Sequence, residues 1–68
     1  MEQFIIRMER EKEDLEGKIK RANNALLKSE EIHLDKVQVA LLEEQTEYMK
    51  KYLDVLNNRI AYEKNSTE

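Results

Sequence analysis

The sequence predicts an all-α fold: an antiparallel two-helix hairpin whose copies assemble into a homo-oligomeric helical bundle. Three observations predict it. The 68 residues contain no proline and a single glycine, Gly17, which nearly excludes a protein of β-hairpins and tight turns, because those need φ > 0 glycines or preset prolines. Apolar residues recur at alternating three- and four-residue spacing in two separate segments. Charged residues make up 40% of the chain and hydrophobic residues another 40%, the balance of solvated helices rather than of a closed core around a cleft.

Helix 1 is expected over about residues 2–28. Ile5, Met8, Leu15, Ile19, Ala22 and Leu26 follow Phe4 at helical spacing, with Lys12 as the polar interruption. They occupy an arc of roughly 100°, narrow enough for one neighbouring helix. A continued seam would fall on Ser29, His33, Lys36, Ala40 and Glu43, which are mostly polar, so the seam stops. Residues 29–34 are therefore expected as the turn. Asp35 and Gln38 stand three apart as a capping box would, with Leu34 and Val39 placed to close a hydrophobic staple, so helix 2 is expected over about 35–63. Ser29 is an earlier candidate start. The alternative is a single bent or continuous helix of about 60 residues, roughly 90 Å long, since no Gly or Pro marks the turn. Residues 64–68 lack periodicity and are expected as a flexible tail.

Helix 2 carries Val37, Leu41, Leu42, Tyr48, Met49, Tyr52, Leu53, Val55, Leu56 and Ile60, spread over an arc of roughly 160–180°. One partner helix does not cover that arc, and so short a chain without staples rarely holds a core by itself. Oligomerisation is the expected remedy, with Leu42, Met49, Tyr52, Leu53, Leu56 and Ile60 as the interface.

The chain is too short for a multi-domain enzyme and shows no nucleophile–base pair, metalloprotease motif or phosphate-cradling glycine loop, so no catalysis is expected. There is no cysteine, hence no disulfide and no thiolate metal site. His33 has Glu31 and Asp35 nearby, but their spacing does not match a bundle metal site, and His33 is expected as a solvated turn residue with no metal and no cofactor. A net charge of −3 supplies no global field toward nucleic acid or anionic lipid, so neither direct nucleic-acid binding nor membrane binding is expected. No apolar run approaches the roughly 20 residues of a membrane span, which makes a cytosolic location the default. The glycosylation-like string Asn65-Ser66-Thr67 is taken as chance.

Charge is divided unevenly around helix 1. Arg7, Arg10, Lys18, Arg21 and Lys28 recur within about 80° of arc, interrupted by Asp14, while Glu9, Glu13 and Glu16 line the other flank. Gly17 borders the basic strip, where it costs roughly 1 kcal/mol against alanine and suggests a close approach to the backbone. The strip suits an anionic ligand such as a nucleotide, with arginines forking onto phosphates. Pairing with Glu43, Glu47 and Asp54 of a neighbouring helix is the other reading. On helix 2, Gln45 and Arg59 interrupt the apolar arc, and Tyr48, Tyr52 and Tyr62 present hydroxyls along it. Arg59 either pairs with Glu11 across the antiparallel hairpin or, with the tyrosines, lines a site between subunits where rings stack on a base. Met8 and Met49 are expected as packing.

The pattern Phe4-x-x-Arg7-Met8-x-x-Glu11-x-x-x-Leu15-x-x-x-Ile19, followed by Leu41-Leu42-x-x-Gln45-x-x-x-Met49-x-x-Tyr52-Leu53-x-x-Leu56-x-x-Arg59-Ile60, resembles a family of very small phage-encoded helical-hairpin proteins first recognised in crAss-like phages. The likeness covers about residues 4–60 and implies an accessory role during infection, in the cytoplasm of a bacterial host. In architecture the chain is also similar to phage anti-CBASS and anti-Thoeris sponge proteins, short helical hairpins that oligomerise and sequester cyclic-nucleotide or ADP-ribose-type immune signals. The Gly-Tyr-Arg segment and following Asn-x-x-Lys of the cyclic-dinucleotide sponges are absent, so none of their ligand residues transfers. The expected function is a non-enzymatic counter-defence protein holding a nucleotide second messenger, with Arg7, Arg10, Gly17, Lys18, Arg21, Lys28, Tyr48, Tyr52 and Arg59 as candidate ligand residues. A protein-binding inhibitor of a host defence enzyme or nuclease, or a structural coiled-coil assembly protein, are the alternatives.

Overall fold

A computed structural model describes residues 2–66 of the chain. It is an antiparallel pair of helices, α1 (Glu2–Leu27) and α2 (Lys36–Ser66), rather than one long helix. Residues 64–66, expected as tail, continue α2; residues 67 and 68 lie outside the described residues. The extension has a cause. Lys64 Nζ reaches Glu9 Oε1 at 2.7 Å, tying the last turn of α2 to α1, and a cation there also complements the helix dipole.

The reversal is made without glycine. Beyond Leu27 the chain keeps two more helical hydrogen bonds, Lys28 N–H donating to Asn24 O at 3.1 Å and Ile32 N–H to Lys28 O at 3.0 Å. His33 then turns into the left-handed region with φ 59°. Leu34 N–H donates back to Ser29 O at 2.9 Å and His33 N–H to Glu30 O at 3.3 Å, the paired bonds of a Schellman ending, with His33 where glycine is usual. Two residues later Asp35 opens α2. Gln38 N–H donates to Asp35 Oδ1 at 2.8 Å, and Asp35 N–H donates to Gln38 Oε1 at 2.9 Å, so the expected capping box is formed reciprocally. Leu34 and Val39, flanking the cap, are both half-buried. His33 serves the backbone here.

The core is the seam between the helices. Met8, Leu15, Ile19 and Ala22 of α1 and Leu56 and Ile60 of α2 are buried, with Leu56 at 0% exposure, and Met8 packs directly with Leu56 and Ile60. Ile5 packs on the Met8–Leu56–Ile60 cluster. The seam of α2 runs Val39, Leu42, Thr46, Met49, Leu53, Leu56, Ile60, Glu63, every one buried or half-buried, at the three-four spacing that matches α1. Thr46 is its one buried polar side chain among the described residues. Its hydroxyl donates to Leu42 O at 2.7 Å, so the hydrogen-bonding demand is met inside the helix and the methyl faces the seam.

Five residues expected at the oligomer interface, Leu42, Met49, Leu53, Leu56 and Ile60, therefore lie in the intrachain seam. Only Tyr52 of that set is exposed. The apolar surface left open on α2 is instead Val37, Leu41, Tyr48, Tyr52, Val55 and Tyr62. The physical reason is that the wide arc comprises two stripes. Leu41, Gln45, Tyr48, Tyr52, Val55, Arg59 and Tyr62 each precede a seam residue by one position, which rotates their stripe about 100° from the seam.

The result is a rod of 50 × 15 × 13 Å with a radius of gyration of 15.4 Å, against about 11 Å for a globule of this length.

Candidate functional site

In an antiparallel pair, residues that precede seam positions on one helix lie on the same flank as those that precede seam positions on the other. Two contacts establish this here. The Arg59 guanidinium sits over the Phe4 ring at 6.0 Å, and both residues precede the seam. Lys64 and Glu9, which both follow it, meet on the opposite flank.

The first flank thus carries Arg7, Glu11, Asp14, Lys18 and Arg21 from α1, Lys28 just past its end, and Leu41, Tyr48, Tyr52, Val55, Arg59 and Tyr62 from α2. Five bases face two acids, and every tyrosine of the chain is there. The register set by Met8 against Leu56 and Ile60 brings Tyr48 level with Lys18 and Tyr52 level with Asp14, one helical turn from Lys18. Tyr48 and Tyr52 are 62% and 46% exposed. Lys51 leans over the Tyr48 ring at 5.5 Å. None of Arg7, Lys18, Arg21, Lys28 or Arg59 has an acid within ion-pair distance among the described residues, where Lys64–Glu9 is the ion pair formed. Exposed rings beside unpaired cations form a surface able to take a planar anion, by stacking and by phosphate hydrogen bonds.

The other flank has the opposite sign. Glu9, Glu13, Glu16, Glu43, Glu47 and Asp54 outnumber Lys20, Lys50 and Lys64 there. The Lys64 ammonium, hydrogen-bonded to Glu9, holds that carboxyl below its usual range, with a smaller contribution from Lys12. A groove of about 500 Å³ on this side is lined by Asn23, Leu26, Ala40, Glu43, Glu44, Thr46, Glu47 and Lys50. Its three carboxylates, Glu43, Glu44 and Glu47, make it a poor seat for an anion. A shallower hollow of about 250 Å³ lies by Gln3, Ile6, Arg7 and Arg10.

Most of the expected ligand residues are brought together: Arg7, Lys18, Lys28, Tyr48, Tyr52 and Arg59 share the basic flank, as does the backbone position of Arg21, whose guanidinium is folded back over Gly17. Arg10 and Gly17 do not. Both occupy positions directed away from α2, on the outer face of α1. The space above Gly17 is filled by its own neighbour, since a Cβ there would meet Arg21 Nη1 at 3.3 Å and nothing of the backbone of α2. The expected Arg59–Glu11 pair is not formed; Arg59 is exposed and its contact is Phe4. Leu41 and Val55 were missed as candidates, although their one-residue offset from Leu42 and Leu56 is visible in the spacing. Among the described residues there is no group of three metal-ligating side chains, and no helix is long and apolar enough to cross a membrane.

The model of a protein family described as Sequestin matches residues 2–62, nearly the whole chain and both helices of the hairpin. The chain belongs to the Sequestin family. No curated protein and no solved structure matches it.

Proposed function

We propose that this Sequestin-family hairpin is a non-enzymatic sequestering protein that assembles with copies of itself and holds a nucleotide-type signal, a cyclic oligonucleotide or an ADP-ribose derivative, on its tyrosine-bearing basic flank. The family name speaks for sequestration of some molecule. The nature of the cargo rests on one observation: Tyr48 stands exposed at the level of Lys18, with Tyr52 exposed one turn along the same stripe. Stacking on an aromatic ring contributes about 1–3 kcal/mol per base, and an arginine fork adds direction to each phosphate contact. A single rod offers only a shallow surface, so tight retention requires a second hairpin to cover the ligand.

Sequestration makes and breaks no covalent bond. The protein competes with a receptor by binding its signal, and it acts stoichiometrically, so its copy number must exceed that of the signal. The setting we propose for this activity is an infected bacterial cytoplasm, as counter-defence, a reading supported by the resemblance to small phage-encoded hairpins. Isothermal titration of cyclic dinucleotides, cyclic trinucleotides and cyclic ADP-ribose isomers tests the reading. The expected outcome is saturable binding to at least one class, with the ligand recovered chemically intact after the protein is denatured. Silence across the whole panel overturns it.

A second reading is supported by the acidic groove. Glu43, Glu44 and Glu47 line one hollow and present a carboxylate array such as a cationic nucleic-acid-binding surface of a host enzyme would meet. An affinity pulldown from host lysate separates the two, since a small-molecule sponge recovers no stoichiometric protein.

A further inference from the structure

We infer that the trough at the turn end of the acidic flank is a docking surface for an amphipathic helix of another protein, with leucine-like side chains along one face and lysine or arginine beside them. The trough shares no residue with the cargo flank, and in taking a protein partner it rests on the protein-binding reading above.

Two hollows make the trough. The groove of about 500 Å³ beside Leu26 and Thr46 and a second hollow of about 290 Å³ beside Leu34 and Val39 share Ala40 and Glu43 in their linings, so they adjoin. From the turn to Lys50 they follow α2 for about four helical turns, roughly 22 Å. The floor is apolar: Leu26, Leu34 and Val39 are half-buried and Ala40 is exposed. Leu27 follows the seam residue Leu26 by one position, which sets it on this flank, and at 85% it is the most exposed large hydrophobic residue among those described. Contiguous apolar surface rimmed by polar groups marks an interaction site.

Backbone and charge select the occupant. The described residues form helices and a turn, with no strand edge, so an extended segment finds no backbone partners here, whereas a helix satisfies its own amides. No aromatic residue lines either hollow, which removes the platform that a polyproline segment needs. A third helix laid along two antiparallel ones is ordinary bundle packing, and the small side chain of Ala40 lets it come close. The rim gives the sign. Asp35, Glu43, Glu44 and Glu47 outnumber Lys36 and Lys50 around the trough, and none of the three glutamates has a base within ion-pair distance among the described residues. Such a rim favours a cationic helix and repels nucleic acid and acidic peptides. A second copy of this chain fits less well, because its basic flank set in this trough makes a heterologous contact and each added copy brings a net charge of −3.

Fluorescence anisotropy of the full chain with a labelled synthetic helix tests this. The probe spans about 18 residues, five turns, with leucines at the spacing of one helix face and lysines elsewhere; two companions carry glutamate for lysine or alanine for leucine. Leu27→Ser and Ala40→Lys alter the trough, and Tyr52→Lys is the control on the other flank. All three positions are exposed, so the helices are expected to persist, which circular dichroism checks. The expected result is saturable binding of the leucine–lysine helix, weakened about tenfold or more by either companion sequence and by either trough variant, and changed less than about twofold by Tyr52→Lys. Equal binding of the alanine companion reduces the site to bare acidic surface and overturns the inference, as do trough variants that bind like the parent or a loss with Tyr52→Lys as large as theirs. Sedimentation of the chain alone supplies a further outcome: self-association abolished by Ala40→Lys gives the trough to a second copy and overturns it as well. A lysate pulldown separates the trough from the reading it rests on. Peptide binding with no host protein recovered leaves the trough standing and removes the host-enzyme reading; a recovered protein that Ala40→Lys still captures keeps that reading and overturns the trough.

Discussion

At the scale of single residues, Gly17 and Arg59 show how placement changes a reading drawn from composition. Gly17 lies in the middle of α1, where glycine costs roughly 0.5–1 kcal/mol against alanine, and what overlies it is the end of the flexible Arg21 side chain. Gly17→Ala is therefore expected to raise the unfolding free energy by about that amount, a gain of some ~4 °C in melting temperature for a domain of this size, measurable by circular dichroism. A loss of stability would mean that Arg21 has nowhere to move. Arg59 is the converse case. Had it been buried against Glu11, its removal would have cost about 3 kcal/mol or more. It is exposed over Phe4, so Arg59→Ala is expected to lower stability by no more than ~1 kcal/mol. A melt showing a larger drop would contradict that placement.

Each element depends on how it begins and ends. The start of α2 satisfies two amides through one carboxylate and one carboxamide, and Asp35→Ala is expected to cost about 1 kcal/mol. His33→Gly, at φ 59°, is expected to return about the same, because glycine enters the left-handed region without the Cβ penalty. Denaturant titrations of the two variants and their double mutant check both signs. The cap was legible in the sequence because Asp35-x-x-Gln38 is local chemistry, and the α1 seam was legible because it is a single stripe. The end of α1 was less so: a histidine in place of glycine leaves no mark in the sequence at the turn. The partition of α2 was missed for a different reason. Two stripes one residue apart overlap into one arc of apolar positions, and the residue that best separates them, Thr46, looks polar until its hydroxyl is seen bonded to Leu42 O. Once Thr46 joins Leu42 and Met49, the seam and the outer stripe separate. The candidate cations and tyrosines were found individually from α1 and α2, but that they share a flank follows only from the antiparallel register.

For the whole molecule, the decisive feature is a thin rod with one narrow seam and an apolar edge outside it. The buried set of Met8, Leu15, Ile19, Ala22, Leu56 and Ile60 is small, and cores of this size rarely supply more than about 3–5 kcal/mol. The self-association we propose would add to that by mass action: a partner at a hundred times its dissociation constant stabilises the folded state by about 2.7 kcal/mol. Thermal melts of the parent chain at high ionic strength should then rise with protein concentration, by roughly 10 °C between a concentration below the dimer dissociation constant and one a hundredfold above it. Two substitutions divide the contributions. Leu56→Ala removes seam packing and is expected to cost about 2–5 kcal/mol at every concentration, enough to unfold the dilute hairpin. Tyr52→Lys leaves the seam intact and is expected to flatten the concentration dependence while leaving the dilute melting temperature nearly unchanged. A parent melt independent of concentration would mean that the seam alone supports the fold, and the exposed tyrosines would then have to be explained by the ligand without a second copy.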